Sequence, residues 1–125
     1  MTILEEKVMF TEICPLSAID VETGVAALVE GRVIAVFRTY SGEIFALSNL
    51  DPISGASVLS RGIVGTRTVN GAAVDYVASP IFKEGFDLRT GRCLDKPGVA
   101  VNTHETEVRE GVVFVSSTPK ASVEE

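Results

Sequence analysis

Side chains that bind soft metals are scarce in this chain. It has one histidine, His104, and two cysteines, Cys14 and Cys93. A lone imidazole has no second one to complete a metal site with it. The cysteines lie far apart and form no C-x-x-C pair. In a reducing compartment they read as free thiols, with a disulfide as the alternative. A nucleophilic thiol needs a basic neighbour; Arg92 adjoins Cys93, but successive strand residues point to opposite faces. Bases are outnumbered, 11 against 17 acids, for a formal net charge of −6. Such a surface repels phosphate backbones and anionic lipid, which argues against nucleic-acid and membrane partners. No apolar run approaches the ~18 residues a membrane span needs. No basic segment leads into an apolar one at the N-terminus, so the expected address is the cytoplasm. Neither G-x-G-x-x-G nor G-x-x-x-x-G-K-[ST] occurs, which leaves nucleotide binding unsupported. No long 3.6-residue period is present, and only a single helical turn is expected, near residues 15–19, where Pro15 suits a first helical position.

What the chain does have is the material of short strands. Its 125 residues suit one domain, and the hydrophobic fraction of 46% is that of a globular protein. Strands are expected over 7–13, 25–30, 32–39, 43–48, 66–69, 73–78, 98–105, 106–110 and 112–116. Gly31, Asn70-Gly71 and Glu110-Gly111 supply turns between neighbours. The stretch 32–39 is apolar on both faces, since Val33, Ala35 and Phe37 alternate with Ile34 and Val36. A strand of that kind is covered on both sides, as in a sandwich or small barrel. The polar residues 117–125 read as a disordered tail.

Two segments break the pattern. Residues 48–65 and 79–98 are rich in glycine, proline and serine, with one hairpin between them. Long structured loops in a compact domain are uncommon and usually functional. They suggest a small loop-rich subdomain, about residues 48–98, mounted on the β body of a single domain spanning 1–116.

The residues within those loops carry a resemblance. Asn49-Leu50-Asp51-Pro52-Ile53-Ser54-Gly55-Ala56 and Ser79-Pro80-Ile81-Phe82-Lys83-Glu84-Gly85-Phe86-Asp87-Leu88-Arg89-Thr90-Gly91 resemble the two cluster-binding boxes of Rieske proteins. Those boxes read C-P-H-x-G and C-P-x-H, and two thiolates and two imidazoles hold a two-iron cluster. The resemblance implies an all-β, Rieske-type fold: an antiparallel sandwich or partly open barrel body. It also places Asp51 and Ser79 at the thiolate positions, and Ile53 and Phe82 at the imidazole positions. Ile and Phe have no donor atom, and the hard oxygens of Asp and Ser match an iron–sulfide core poorly. All four former ligand positions are therefore non-ligating.

The same departures narrow the likeness. Asp51-Pro52-x-Ser54-Gly55-Ala56-x-Val58-Leu59-Ser60-Arg61-Gly62-Ile63-Val64-Gly65, with Ser79-Pro80-x-x-Lys83 and Thr90-Gly91-x-Cys93-Leu94-Asp95, is similar to the small subunit of the assimilatory NAD(P)H-dependent nitrite reductase. The resemblance implies a large catalytic subunit as partner. That subunit would carry FAD, an iron–sulfur cluster and sirohaem, and reduce nitrite to ammonium, while this chain binds no cofactor and supplies no catalytic residue.

Each of these positions also has a plain structural reading. Asp51 before Pro52 suits a turn in which Asp bonds its own downstream backbone, and Ser79 before Pro80 the same. Ile53 and Phe82 are expected to pack together in the space a cluster would take. His104 lies on the strand parity opposite Val99 and Val101, so its ring is expected in solvent. Arg61, Lys83 and Arg89 are either solvated surface or a docking face for an acidic patch on the partner. The leading function is a non-catalytic subunit. The alternatives are a Rieske-type [2Fe-2S] ferredoxin with atypical ligands, against which the ligand inventory speaks, and a stand-alone enzyme or small-molecule binding module, for which paired acid and base groups are missing.

Overall fold

One strand, Arg32–Arg38 (β3), organises both halves of the molecule because it is apolar on both faces. A computed structural model describes residues 9–120. On one face of β3, Ile34 and Val36 pack with Ile19, Val29, Ala46, Val113 and Val115. On the other, Ala35 and Phe37 pack with Leu47, Leu59, Val64, Val77, Phe86, Leu88 and Cys93. The expectation of a strand covered on both sides is met from Ile34 to Phe37, while Val33 is exposed. Burying each larger side chain contributes about 1.5–3 kcal/mol.

The first core lies inside a six-stranded antiparallel sheet. Its strands are Phe10–Pro15 (β1), Thr23–Val29 (β2), β3, Ile44–Ser48 (β4), Thr103–Arg109 (β8) and Val112–Pro119 (β9), in the order β1-β9-β8-β4-β3-β2. The sheet curls into a nearly closed barrel, and its edges β1 and β2 face each other across a groove lined by Ile13, Cys14, Val25 and Ala27. The second core separates this barrel from a three-stranded sheet of Ile63–Val69 (β5), Ala72–Ala78 (β6) and Gly85–Asp87 (β7). The all-β expectation holds.

Two-residue turns set the register of three hairpins. Glu30-Gly31, Asn70-Gly71 and Glu110-Gly111 each place both residues at positive φ, the geometry whose twist matches that of paired strands. The expected helical turn forms as a 3-10 turn over Leu16–Ala18, with Pro15 at its cap and not inside it. Strand β7 and a second 3-10 turn, Leu59–Arg61, lie within the segments read as irregular.

Several expectations are corrected. The chain read as strands 98–105 and 106–110 is irregular up to residue 102 and then one strand, β8. Residues 117–120 are not disordered: β9 runs to Pro119, the Ser117 amide donates to Met9 O at 2.9 Å and the Lys120 amide to Thr103 O at 2.8 Å. The remainder of the expected tail, 121–125, and positions 7 and 8 of the expected first strand lie outside the described residues. No helix among the described residues is long and apolar enough to cross a membrane.

Gly62 joins the barrel side to the small sheet. A Cβ there would lie 2.3 Å from Ala78 O and 2.7 Å from Val77 Cγ2, and backbone cannot yield cheaply. Gly62→Ala is expected to destabilise the domain by about 1–3 kcal/mol, the usual cost of overpacking. A lowered urea midpoint at unchanged slope is the measurement that checks it.

Candidate functional site

Asp51 and Ser79, the positions that the resemblance equates with thiolates, are fully buried and bonded to each other. Ser79 Oγ donates to Asp51 Oδ2 at 2.5 Å. Each also nucleates its own turn. Asp51 Oδ1 accepts from the amides of Ile53 at 2.8 Å and Ser54 at 3.3 Å, and Ser79 Oγ accepts from the Ile81 amide at 3.2 Å.

The backbone of the two turns is the same. The Asp51 amide donates to Ala56 O and the Gly55 amide to Asp51 O; the Ser79 amide donates to Glu84 O and the Lys83 amide to Ser79 O. The fifth residue, Gly55 or Lys83, takes positive φ. A third copy follows at Asp87: its amide donates to Arg92 O, the Gly91 amide donates to Asp87 O, and Asp87 Oδ1 accepts from Arg89 and Thr90. Gly91 is again at positive φ. Pro52 and Pro80 occupy the second position of the first two copies, where their fixed φ favours the turn. Sequence reasoning missed this repetition, although the spacing Asp51…Gly55 recurs as Asp87…Gly91.

Asn49 holds the far end of the first loop. It is buried; its Oδ1 accepts from the Ser60 amide at 2.7 Å and its Nδ2 donates to Ser57 Oγ at 2.9 Å. Its carbonyl accepts from the amides of Val58 and Leu59. Asp95 holds the second loop through Gly85 N at 2.7 Å and Arg67 Nη1 at 3.0 Å.

The imidazole positions behave differently from each other. Ile53 packs on the core between the sheets. Phe82 is 56% exposed, so it does not fill the space of a cluster as expected. The Asp51–Ser79 bond joins the two loops without the ring, which stands largely in solvent. Of the basic candidates, Arg89 is engaged, pairing with Glu43 at 2.7 Å and lying 4.9 Å from the centre of the Phe45 ring. Arg61 and Lys83 form no ion pair among the described residues.

These residues do not fit an iron–sulfur cluster. One position of each ligand pair now spends its oxygen on a buried hydrogen bond, and the other two carry hydrocarbon. Among the described residues no three His, Cys, Asp or Glu side chains converge as metal ligands. Both cysteines are free, Cys93 buried in the core and Cys14 partly so, where burial pushes its thiol pKa up.

His104 corrects another expectation: it is 3% exposed, and its Nδ1 lies 2.9 Å from Ser116 O. A carbonyl only accepts, so Nδ1 carries the proton. The parity argument failed because residues 99–102 are not strand, so Val99 and Val101 do not set the phase of β8. Burial holds the His104 pKa below its ordinary value, the Ser116 hydrogen bond opposes this, and the charge of Arg32 adds to the lowering.

The fold and the paired turns define a Rieske-like domain, and the family model for a Rieske-like [2Fe-2S] domain matches residues 9–116. The chain is 41% identical over 103 residues to the nitrite reductase (NADH) small subunit of Escherichia coli K12, covering 82% of this chain and 92% of that one. A crystal structure of an NADH-dependent nitrite reductase small subunit from Mycobacterium tuberculosis superposes with a TM-score of 0.82 at 38% identity, over 94% of this chain and 100% of the other. The chain therefore belongs to the family of NADH-dependent nitrite reductase small subunits. It also matches part of the nitrite reductase [NAD(P)H] large subunit of Klebsiella oxytoca, 38% identical over 105 residues, which is 84% of this chain and 10% of that one. A carbazole 1,9a-dioxygenase ferredoxin from Nocardioides aromaticivorans shares the fold, with a TM-score of 0.72 at 22% identity over 85% of this chain and 95% of that one.

Two pH dependences follow. Burial alone would raise the pKa of Asp51, but hydrogen bonds from Ser79, Ile53 and Ser54 outweigh it and hold it below the usual carboxylate value. The stability this contributes is present above the unfolded value, about 3.9, and is lost as pH falls through the lower folded value. Asp51→Ala is expected to cost about 2–4 kcal/mol, because it strands buried donors. Asp51→Asn, which keeps Oδ1, costs less and flattens the acid limb of a stability–pH curve. His104 acts in the opposite charge sense. Its folded pKa lies below the unfolded value of about 6.5, so stability falls as pH drops below that value, by at most about 1.4 kcal/mol per pH unit. Denaturation midpoints between pH 7.5 and 5 check this, and His104→Gln is expected to shrink the decline.

Proposed function

We propose that this chain acts as the non-catalytic small subunit of an NADH-dependent nitrite reductase, binding a large catalytic chain in the cytoplasm. The observation that carries the reading is its likeness, along nearly its whole length, to dedicated small subunits. The Asp51–Ser79 bond supports it, because a side-chain pair closes the place from which a Rieske protein would pass electrons. FAD, sirohaem and an iron–sulfur cluster would reside on the large chain, and nitrite would be reduced to ammonium there. The ferredoxin alternative is disfavoured by the donor set: an aliphatic and an aromatic side chain cannot ligate iron.

Arg61 and Lys83 would steer the encounter with an acidic partner surface, and Arg89, already paired with Glu43, would contribute less. Charge reversal at Arg61 and Lys83 together is then expected to slow association at low ionic strength and to matter less at high salt.

Affinity-tagged large chain, co-expressed with this chain, tests the reading. The small chain is expected to co-purify, to be devoid of iron by elemental analysis when purified alone, and to show no nitrite reduction by itself. Near-stoichiometric iron and sulfide in the isolated chain would overturn the proposal in favour of a ferredoxin.

A further inference from the structure

Four large apolar side chains stand in solvent around the buried Asp51–Ser79 bond. Leu50, 48% exposed, precedes Asp51; Ile81 and Phe82, 46% and 56% exposed, are the third and fourth residues of the Ser79 turn. Ile63, 71% exposed, pairs with Ala78 beside Ser79. They are four of the ten large hydrophobics exposed among the described residues; Leu50, Ile81 and Phe82 lie on the two loops, and Ile63 begins β5 beside them. The core beneath is filled without them, by Leu59, Val64, Val77 and Phe86. The loops that carry them are fixed by their own turn bonds and by the close approach of Gly62 to Ala78. Exposed apolar groups on a rigid, polar-rimmed surface mark interaction sites.

We propose that this tip is the docking face for the large nitrite reductase chain, with Ile81 and Phe82 as anchors and Leu50 and Ile63 flanking them. The proposal rests on the small-subunit reading above. Two observations select the occupant. In the Klebsiella oxytoca relative a domain like this one is part of the large-subunit chain itself, so the two are held in one molecule. Arg61 and Lys83 rim the tip without ion pairs among the described residues, on a chain of net charge −6. The complementary face is therefore an apolar pocket edged with carboxylates. A second copy of this chain would set the same two cations against themselves across a twofold axis, and its net charge would repel.

The test uses the full chain and the large chain of the same organism, with affinity measured at low and high salt. Ile81→Asp and Phe82→Asp each place a charge in the interface, and Phe82→Ala removes the ring without adding one. Leu28→Asp, at a residue 70% exposed on β2, is the control. Since these side chains are exposed, all variants are expected to melt near wild type. The aspartate variants are expected to weaken binding at least about tenfold at both salt concentrations, Phe82→Ala in the same direction, and Leu28→Asp less than about twofold. Tip variants that bind as wild type does would overturn the face while leaving the subunit reading standing. A wild-type chain that does not bind the large chain would overturn the subunit reading and the face with it. A wild-type dimer that the tip variants split, with large-chain binding unchanged, would assign the face to a second copy.

Discussion

The hydrogen bond between Ser79 Oγ and Asp51 Oδ2 is the constraint on which the tip depends. It joins two loops that come from different sheets and lie 28 positions apart in the chain. A buried carboxylate costs several kcal/mol of lost hydration, so it persists only where donors surround it. Here the Ser79 hydroxyl and the amides of Ile53 and Ser54 supply them. The amides belong to Asp51's own turn, so the charge stabilises the loop that shields it. Removing either partner would do more than delete one bond, because the other would be left buried with its polar atom unsatisfied.

A metal centre would organise such loops from between them. This chain organises each from within. The Asp51, Ser79 and Asp87 turns share one pattern: an oxygen-bearing side chain at the start, amide bonds across the turn in both directions, and positive φ at the fifth residue. Local bonds of this kind close short loops at small entropic cost. The shape of the tip therefore requires no ligand. That the Asp87 turn, which starts at none of the four former ligand positions, has the same bonds shows that the pattern is a property of the turn and not of those positions.

The strand framework was legible because its signals are local. β3 announced its double burial through uninterrupted apolar residues, and the three X-Gly dipeptides fixed three hairpins. The turns at Asp51 and Ser79 were legible for the same reason, each an acceptor before proline. What failed depended on long-range geometry. Phe82 fits the core only if an empty cluster site is there to fill, and Ser79 and Asp51 bond across the two loops instead. Alternation counted back through residues 99–102 points His104 to solvent, but those residues are not part of a strand. The run 117–120 is polar, yet Met9, just before β1, and Thr103 of β8 accept from the amides of Ser117 and Lys120, and composition does not see a partner far away in the chain. Leu50, Ile63, Ile81 and Phe82 could not be read as exposed from their identities at all, since hydrophobic residues are by default assigned inward.

Loss of the ligands changes what kind of contribution the domain can make. On the proposed reading, a domain without a redox centre would act on its partner only through contact, and that contact would have to be strong enough to hold. Where the domain is part of the large polypeptide, as in the Klebsiella oxytoca relative, the tether supplies an effective concentration in the millimolar range, and a weak interface suffices. A separate chain has no tether and pays the full loss of rotational and translational freedom on association. Charged rims add rate and orientation more than affinity, so a small subunit acting as a separate chain would need apolar area at a rigid surface. If the proposed docking face is right, the exposed apolar residues beside Asp51 and Ser79 would offer that area, and Phe82, at a position that the resemblance equates with a metal ligand, would exchange an electron path for a point of attachment.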